Sequence, residues 1–151
     1  MKRFTLLFVL FAVSAFGALG VQPAYAKATV YINASSNAPV SNQFIYQVRE
    51  QIRRSASMTL APSDKTAGYT ISIIALDTND DATTTAFSFV LSTNAFPKNS
   101  GQYILLHQAG VCGGNRLTFC ADSLLADTDK TITEGNEFFQ DIVDSVPSVK
   151  K

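Results

Sequence analysis

Three consecutive stretches in the middle of the chain alternate between two side-chain sets, and they limit the possible folds more than any other feature. Tyr69 to Leu76 sets Tyr69, Ile71, Ile73 and Ala75 against Thr70, Ser72, Ile74 and Leu76. Thr83 to Ala95 sets Phe87, Phe89 and Leu91 against Ala86, Ser88, Val90 and Ser92, and Tyr103 to Ala109 sets Tyr103, Leu105, His107 and Ala109 against Ile104, Leu106 and Gln108. A period of two is the mark of a strand, because successive side chains leave a strand on opposite faces. The polar connections, Asp77 to Asp81 and Phe96 to Gly101, are short enough for antiparallel neighbours, so a meander is predicted. Ile74 and Leu76 place bulk on the second face of the first run, which predicts a strand covered on both sides over its second half.

Helical spacing brackets this meander. From Ser41 to Ser57 the apolar positions Phe44, Ile45, Val48, Ile52 and Ala56 share a face, while Gln43, Gln47, Glu50, Arg53 and Arg54 fill the rest. Ser41 or Asn42 can cap its start, and Glu50 can meet Arg54 one turn later. Beyond Gly113 and Gly114, Leu117, Ala121, Leu124, Leu125, Thr128 and Ile132 form a second apolar face. Gly135 is expected to interrupt that helix, and Phe138, Phe139, Ile142, Val143 and Val146 continue as a third until Pro147. With an opening β-prone run from Ala28 to Asn33, the order becomes β-α-β-β-β-α-α. The economical packing is an α+β two-layer sandwich, an antiparallel sheet with helices on one face.

The first 26 residues stand apart. Lys2 and Arg3 precede an apolar run from Phe4 to Leu19, and Ala24-Tyr25-Ala26 places small side chains where a signal peptidase needs them. Residues 1–26 therefore read as a signal peptide cleaved between Ala26 and Lys27, residues 27–147 as one α+β domain and 148–151 as a frayed tail. The apolar run falls short of the roughly 20 residues a membrane span prefers. No Cys follows it in a lipoprotein position, so a soluble periplasmic or secreted product is expected, with no membrane span in the mature chain. Lys2 and Arg3 leave with the leader, so of 12 basic residues 10 remain against 12 acidic ones, a net charge of −2. Such a chain lacks the phosphate-neutralising charge that nucleic-acid binding requires.

Two cysteines, Cys112 and Cys120, survive cleavage. An even pair this close in an oxidising compartment is most simply a disulfide. A redox site would more naturally show Cys-x-x-Cys, and zinc needs more ligands than two thiols and the one histidine can offer.

Other reactive constellations are weak. His107 is near Cys112 in sequence, but a bonded Cys112 is no nucleophile, and no Gly-x-Ser-x-Gly elbow accompanies any serine. Asp77, Asn79 and Asp81 match the start of a calcium loop, yet Ala82 and Ser88 stand where its Gly and closing Glu belong. Asp127 and Asp129 fail likewise, with Ile132 and Phe138 at those positions. Asp122, Asp127, Glu134 and Glu137 could supply a glycosidase pair, but no Trp is present for sugar stacking. Arg49, Arg53 and Arg54 read as a solvated helix face, and Asn33-Ala34-Ser35 as a sequon of low information. No catalytic residue, metal ligand or cofactor is expected.

The stretch from Cys112-Gly113-Gly114-Asn115-Arg116 through Cys120-Ala121 to Ala126-Asp127-Thr128-Asp129-Lys130 resembles that of small exported bacterial proteins with no assigned function. The resemblance implies a bacterial envelope setting and brings neither substrate nor catalytic residue with it. The leading expectation is a non-enzymatic module that binds another envelope or extracellular protein. The alternatives are an inhibitor of an extracellular hydrolase, presenting Asp77 to Thr85 or Phe96 to Gly101, and a small hydrolase. An exposed apolar patch favours the first, a protruding rigid loop the second and a deep polar pocket at His107 the third.

Overall fold

The computed structural model describes residues 26–36, 38–78, 83–93 and 102–145, without the side chains of 139, 140 and 142–144. The expected leader up to Tyr25, the Phe96 to Gly101 turn and the tail from 148 lie outside these residues. The elements are β1 (Ala28–Ser36), α1 (Pro39–Arg54), β2 (Met58–Leu60), β3 (Tyr69–Asp77), β4 (Thr84–Thr93), β5 (Tyr103–Gly113) and α2 (Leu117–Ser145), with single 3-10 turns at Asp64–Thr66 and Gly114–Arg116. The five strands form one sheet in the order β2-β1-β3-β4-β5. The fold class is α+β, as the patterning requires.

The predicted meander is present, since β3, β4 and β5 pair antiparallel in sequence order. The expectation of a wholly antiparallel sheet is corrected at β1, which runs parallel to both β2 and β3. The cause is α1: a helix crossover returns the chain to the end where β1 began, so the next strand must run the same way. That next strand, β2, is three residues long and carries no alternation to be read. Residues 61–68 then cross β1, tied by Ala61 N–H to Val30 O at 2.8 Å and Gly68 N–H to Thr29 O at 3.0 Å.

One face of the sheet carries the core. Val30 and Ile32 of β1, Ile71, Ile73 and Ala75 of β3, and Phe89 and Leu91 of β4 meet Phe44, Ile45, Val48 and Ile52 of α1, and Leu117, Ala121, Leu124, Leu125 and Ile132 of α2. The helix faces are those the spacing predicted, except that α1 ends at Arg54 and leaves Ala56, expected on its apolar face, exposed beyond it. Phe87 stacks on Phe44 with ring centroids 4.9 Å apart. Gly110 of β5 leaves room for that ring, because a Cβ there would approach Phe87 Cζ to 3.0 Å. Each buried side-chain polar atom among the described residues has a hydrogen-bond partner.

α2 runs through Gly135 without the predicted break. The glycine costs about 1 kcal/mol relative to Ala in a helix interior, and the helix is held beyond it, where the Tyr69 hydroxyl donates to Asn136 Oδ1 at 2.9 Å. Burial raises the Tyr69 phenol above its ordinary pKa, with the Asn136 hydrogen bond acting in the opposite direction. Phe138 is exposed on this distal part. Phe139, Ile142, Val143 and Val146 have side chains outside the described set.

The start of α1 also differs from expectation. Ser41 and Asn42 lie within the helix, and the methyl side chain of Ala38 at the N-cap cannot accept a hydrogen bond. The free backbone donors of Val40 and Ser41 instead meet Asp77, at 3.2 Å to Oδ2 and 2.8 Å to Oδ1. A carboxylate at a helix N-terminus satisfies orphan N–H groups and opposes the positive end of the dipole. Asp77→Ala is expected to lower stability by about 1–2 kcal/mol, as loss of a cap does, read as a shift in the urea midpoint at unchanged slope.

Candidate functional site

Among the described residues both helices lie on one side of the sheet, and no helix covers the other. Register fixes which residues stand there: Thr29, Tyr31, Asn33 and Ser35 of β1, Thr70, Ser72, Ile74 and Leu76 of β3, Ala86, Ser88, Val90 and Ser92 of β4, and His107, Ala109 and Val111 of β5. None is Lys, Arg, Asp or Glu. Thr70 and Ser92 are buried, so the face is closed at that end. At the other end Leu76, Ala86 and Val111 form one apolar row across three strands, and Ile74, Ser88 and Ala109 form the next. Ile74 is 56% exposed, Leu76 48% and Val111 68%. The expectation that Ile74 and Leu76 are covered on a second side is therefore corrected. Side-chain bulk on both faces of a strand signals burial only if a second layer exists, and the described residues supply none over these two.

A bulge modifies the far edge. Leu91 pairs with Leu106 while Ser92 pairs with Ile104, so Leu105 is an extra residue in β5. The insertion reverses the alternation: Ile104, at 68% exposed, joins the open face, and Tyr103 pairs with buried Thr93. His107 consequently lies on the face of Ala109 and Val111, not with Tyr103 as strict alternation predicts. It is exposed, whereas Cys112, paired with Thr85, is buried on the helix side. The two cannot form a nucleophile and base.

The cysteines are bonded. Cys112 and Cys120 have an S–S distance of 2.05 Å and Cα atoms 6.4 Å apart, linking the end of β5 to the first turn of α2. Between them Gly114 N–H donates to Thr83 O at 2.7 Å, and a Cβ on Gly114 would approach that same oxygen to 3.2 Å. The ring fixes where α2 departs from the sheet. Arg116 lies over the exposed Phe119 ring, 4.8 Å from its centroid.

The remaining sequence candidates are dispersed. Asp122, Asp127, Glu134 and Glu137 all belong to α2, whose rise of 1.5 Å per residue spreads them over about 22 Å along one helix instead of across a cleft. Asp127 accepts from Gln108 Nε2 at 2.8 Å, and Glu134 pairs with Lys130 at 3.8 Å. Asp127 and Asp129 are helical, so they form no calcium loop. Asp77 is occupied with α1, and 79–82 lie outside the described residues. Arg49, Arg53 and Arg54 are exposed, with Arg53 pairing Glu50 in place of the expected Arg54.

A cleft of about 260 Å³ opens between the end of α1, β2 and α2, lined by Arg54, Ser55, Ser57, Met58, Asp122 and Asp129 among others. Its serines are engaged in the turn: Ser55 Oγ accepts from the N–H groups of Ser57 and Met58, both at 3.1 Å, and lies 3.0 Å from Ser57 Oγ. Such hydroxyls shape a loop and are not poised as nucleophiles.

No family model matches the chain, and no curated protein matches it. Among solved structures, the chain is similar to protein XCC0632 from Xanthomonas campestris, of family-model DUF330, with a TM-score of 0.56 at 9% identity. The likeness covers 78% of this chain and 92% of that one. The two share a fold. At that identity nothing further passes between them. A hypothetical protein, CT253 from Chlamydia trachomatis, gives a TM-score of 0.40 at 8% identity over 58% of this chain and 71% of its own, too slight a likeness to argue from. The description of XCC0632 states no activity.

Proposed function

We propose that the chain is an exported, non-enzymatic module of the bacterial envelope that binds another protein through the open end of its sheet. The observation that carries this reading is the apolar patch of Ile74, Leu76 and Val111, spaced by Ala86 and Ala109 and free of ionic side chains. Exposed aliphatic surface gains free energy from being covered, and small residues between the large ones let a partner approach closely. A rigid sheet also binds with little ordering cost. Photo-crosslinking in the exporting cell tests it: a crosslinking residue at Ile74 is expected to give a discrete protein adduct and one at Arg49, on the solvated face of α1, none. Adducts from Arg49 alone would overturn the assignment.

Export rests on the leader and is supported by the bond between Cys112 and Cys120, which suits an oxidising compartment. The cleavage point fits the fold. Among the described residues β1 makes its first cross-strand bond at Ala28, just past the cleavage point, from N–H to Ser57 O at 2.8 Å. Lys27 Nζ reaches Ser55 O at 3.0 Å and ties down the new terminus. Mass spectrometry of the exported protein is expected to show Lys27 as the first residue, and an intact Met1 species held in membranes would contradict cleavage.

A further inference from the structure

The two edges of the sheet are built differently. β2 ends one side after three residues, and so short a strand offers little for another chain to pair with. β5 ends the other side with eleven residues and, among the described residues, pairs only with β4. Its outer edge is a row of backbone donors and acceptors. Monomeric proteins usually blunt such an edge with Lys, Pro, an inward charge, a bulge or a covering segment. Between Tyr103 and Gly113 there is no Lys, Arg, Asp, Glu or Pro. The bulge sits near the beginning, at Leu105, and leaves the part from Leu106 to Gly113 in unbroken register with β4.

We infer that β5 is a dimerisation edge, pairing antiparallel with β5 of a second copy of this chain about a two-fold axis at Gln108. An isologous interface must complement itself, and this strand does so in three respects. The strand bears no Lys, Arg, Asp or Glu, so pairing sets no like charges opposite one another along the ladder itself. An axis at Gln108 sets His107 opposite Ala109 and Leu106 opposite Gly110, each larger side chain against a small one. The Gln108 side chain is already engaged by Asp127, which leaves the backbone to form the contact at the axis. A foreign peptide added at an edge is selected by pockets or charges for its alternate side chains, and β5 offers no charge for such selection. Its own sequence supplies the complement.

Pairing also addresses the size of the open face. Rows about 7 Å apart along strands about 4.8 Å apart make the patch of one copy roughly 10 Å across, small beside the roughly 800 Å² per partner of a standard interface. Edge-to-edge dimerisation joins two open faces into one ten-stranded sheet. This inference stands on the edge and does not depend on the partner proposed above.

Sedimentation velocity of the exported, oxidised chain is the test, with mass expected at about twice that of one chain and falling on dilution. Ala109→Lys adds a charge at an exposed position beside the axis, within diagonal reach of its symmetry mate, and is expected to return the mass to one chain with an unchanged circular dichroism spectrum. Thr59→Lys, an exposed position on the β2 edge, should leave the dimer intact, as should Ala109→Thr, which keeps a strand-forming, uncharged residue. A monomeric wild type at every concentration up to its solubility limit, open-ended association, or an Ala109→Lys variant that still doubles in mass would each overturn the proposal. Loss of the Ile74 crosslink with the dimer retained would remove the partner-binding role and leave the edge assignment standing.

Discussion

Ile52→Ala is expected to destabilise the protein by about 2–5 kcal/mol, while Arg53→Ala, one residue away, should change stability by under about 0.5 kcal/mol. Ile52 is fully buried, where α1 faces the sheet and the first part of α2. Truncation there loses the transfer free energy of the removed carbons and leaves a cavity that packed strands cannot close. Arg53 is turned about 100° from Ile52 around the helix, its side chain 55% exposed and, among the described residues, ion-paired with Glu50 of the same helix. An exposed pair of that kind contributes a few tenths of a kcal/mol. Urea unfolding of both variants checks the contrast. Equal losses would mean that α1 packs through a different face and that its arginines belong to a buried network.

Breaking the disulfide is the second large effect. In the chain-entropy account, closing a ring of this size constrains the unfolded chain by about 2.5 kcal/mol. Cys120→Ala, at a half-buried position, should lose about that much. Cys112→Ser should lose about 1–3 kcal/mol more, because Cys112 is fully buried beside Thr85 and Phe87 of β4 and a hydroxyl there must find a partner or go unsatisfied. Denaturant melts with and without a thiol reductant separate the two contributions. Reduction should bring the wild type down to the Cys120→Ala value and leave both variants unmoved. A wild type indifferent to reductant would show that the ring does not constrain the unfolded chain.

Much of this was legible in the chain before any coordinates. The period of two from Tyr69 to Ala109 dictated three strands, and the short polar connections dictated their antiparallel order. The spacing of Phe44, Ile45, Val48 and Ile52, and of Leu117 to Ile132, dictated which helix faces are buried, because an apolar stripe has one stable use in water. The two cysteines and the glycines beside the first of them left little choice of partner. These are local properties, set by dihedral geometry and by neighbours within a few turns.

What the chain could not specify locally was decided by relations between distant segments. The parallel setting of β1 follows from the α1 crossover and from a β2 too short to carry a pattern. Asp77 was legible as a turn residue, and became the cap of a helix more than thirty residues away only when β3 ended beside Pro39. Gly135 reads as a stop, but the Tyr69 to Asn136 bond holds the helix on its far side. The exposure of Ile74 and Leu76 is the sharpest case, since a strand with bulk on both faces reads the same whether its second face is buried in its own fold or left for another molecule. Only the placement of both helices on one side of the sheet distinguishes the two, because burial is a property of the assembled layers and not of any segment within them.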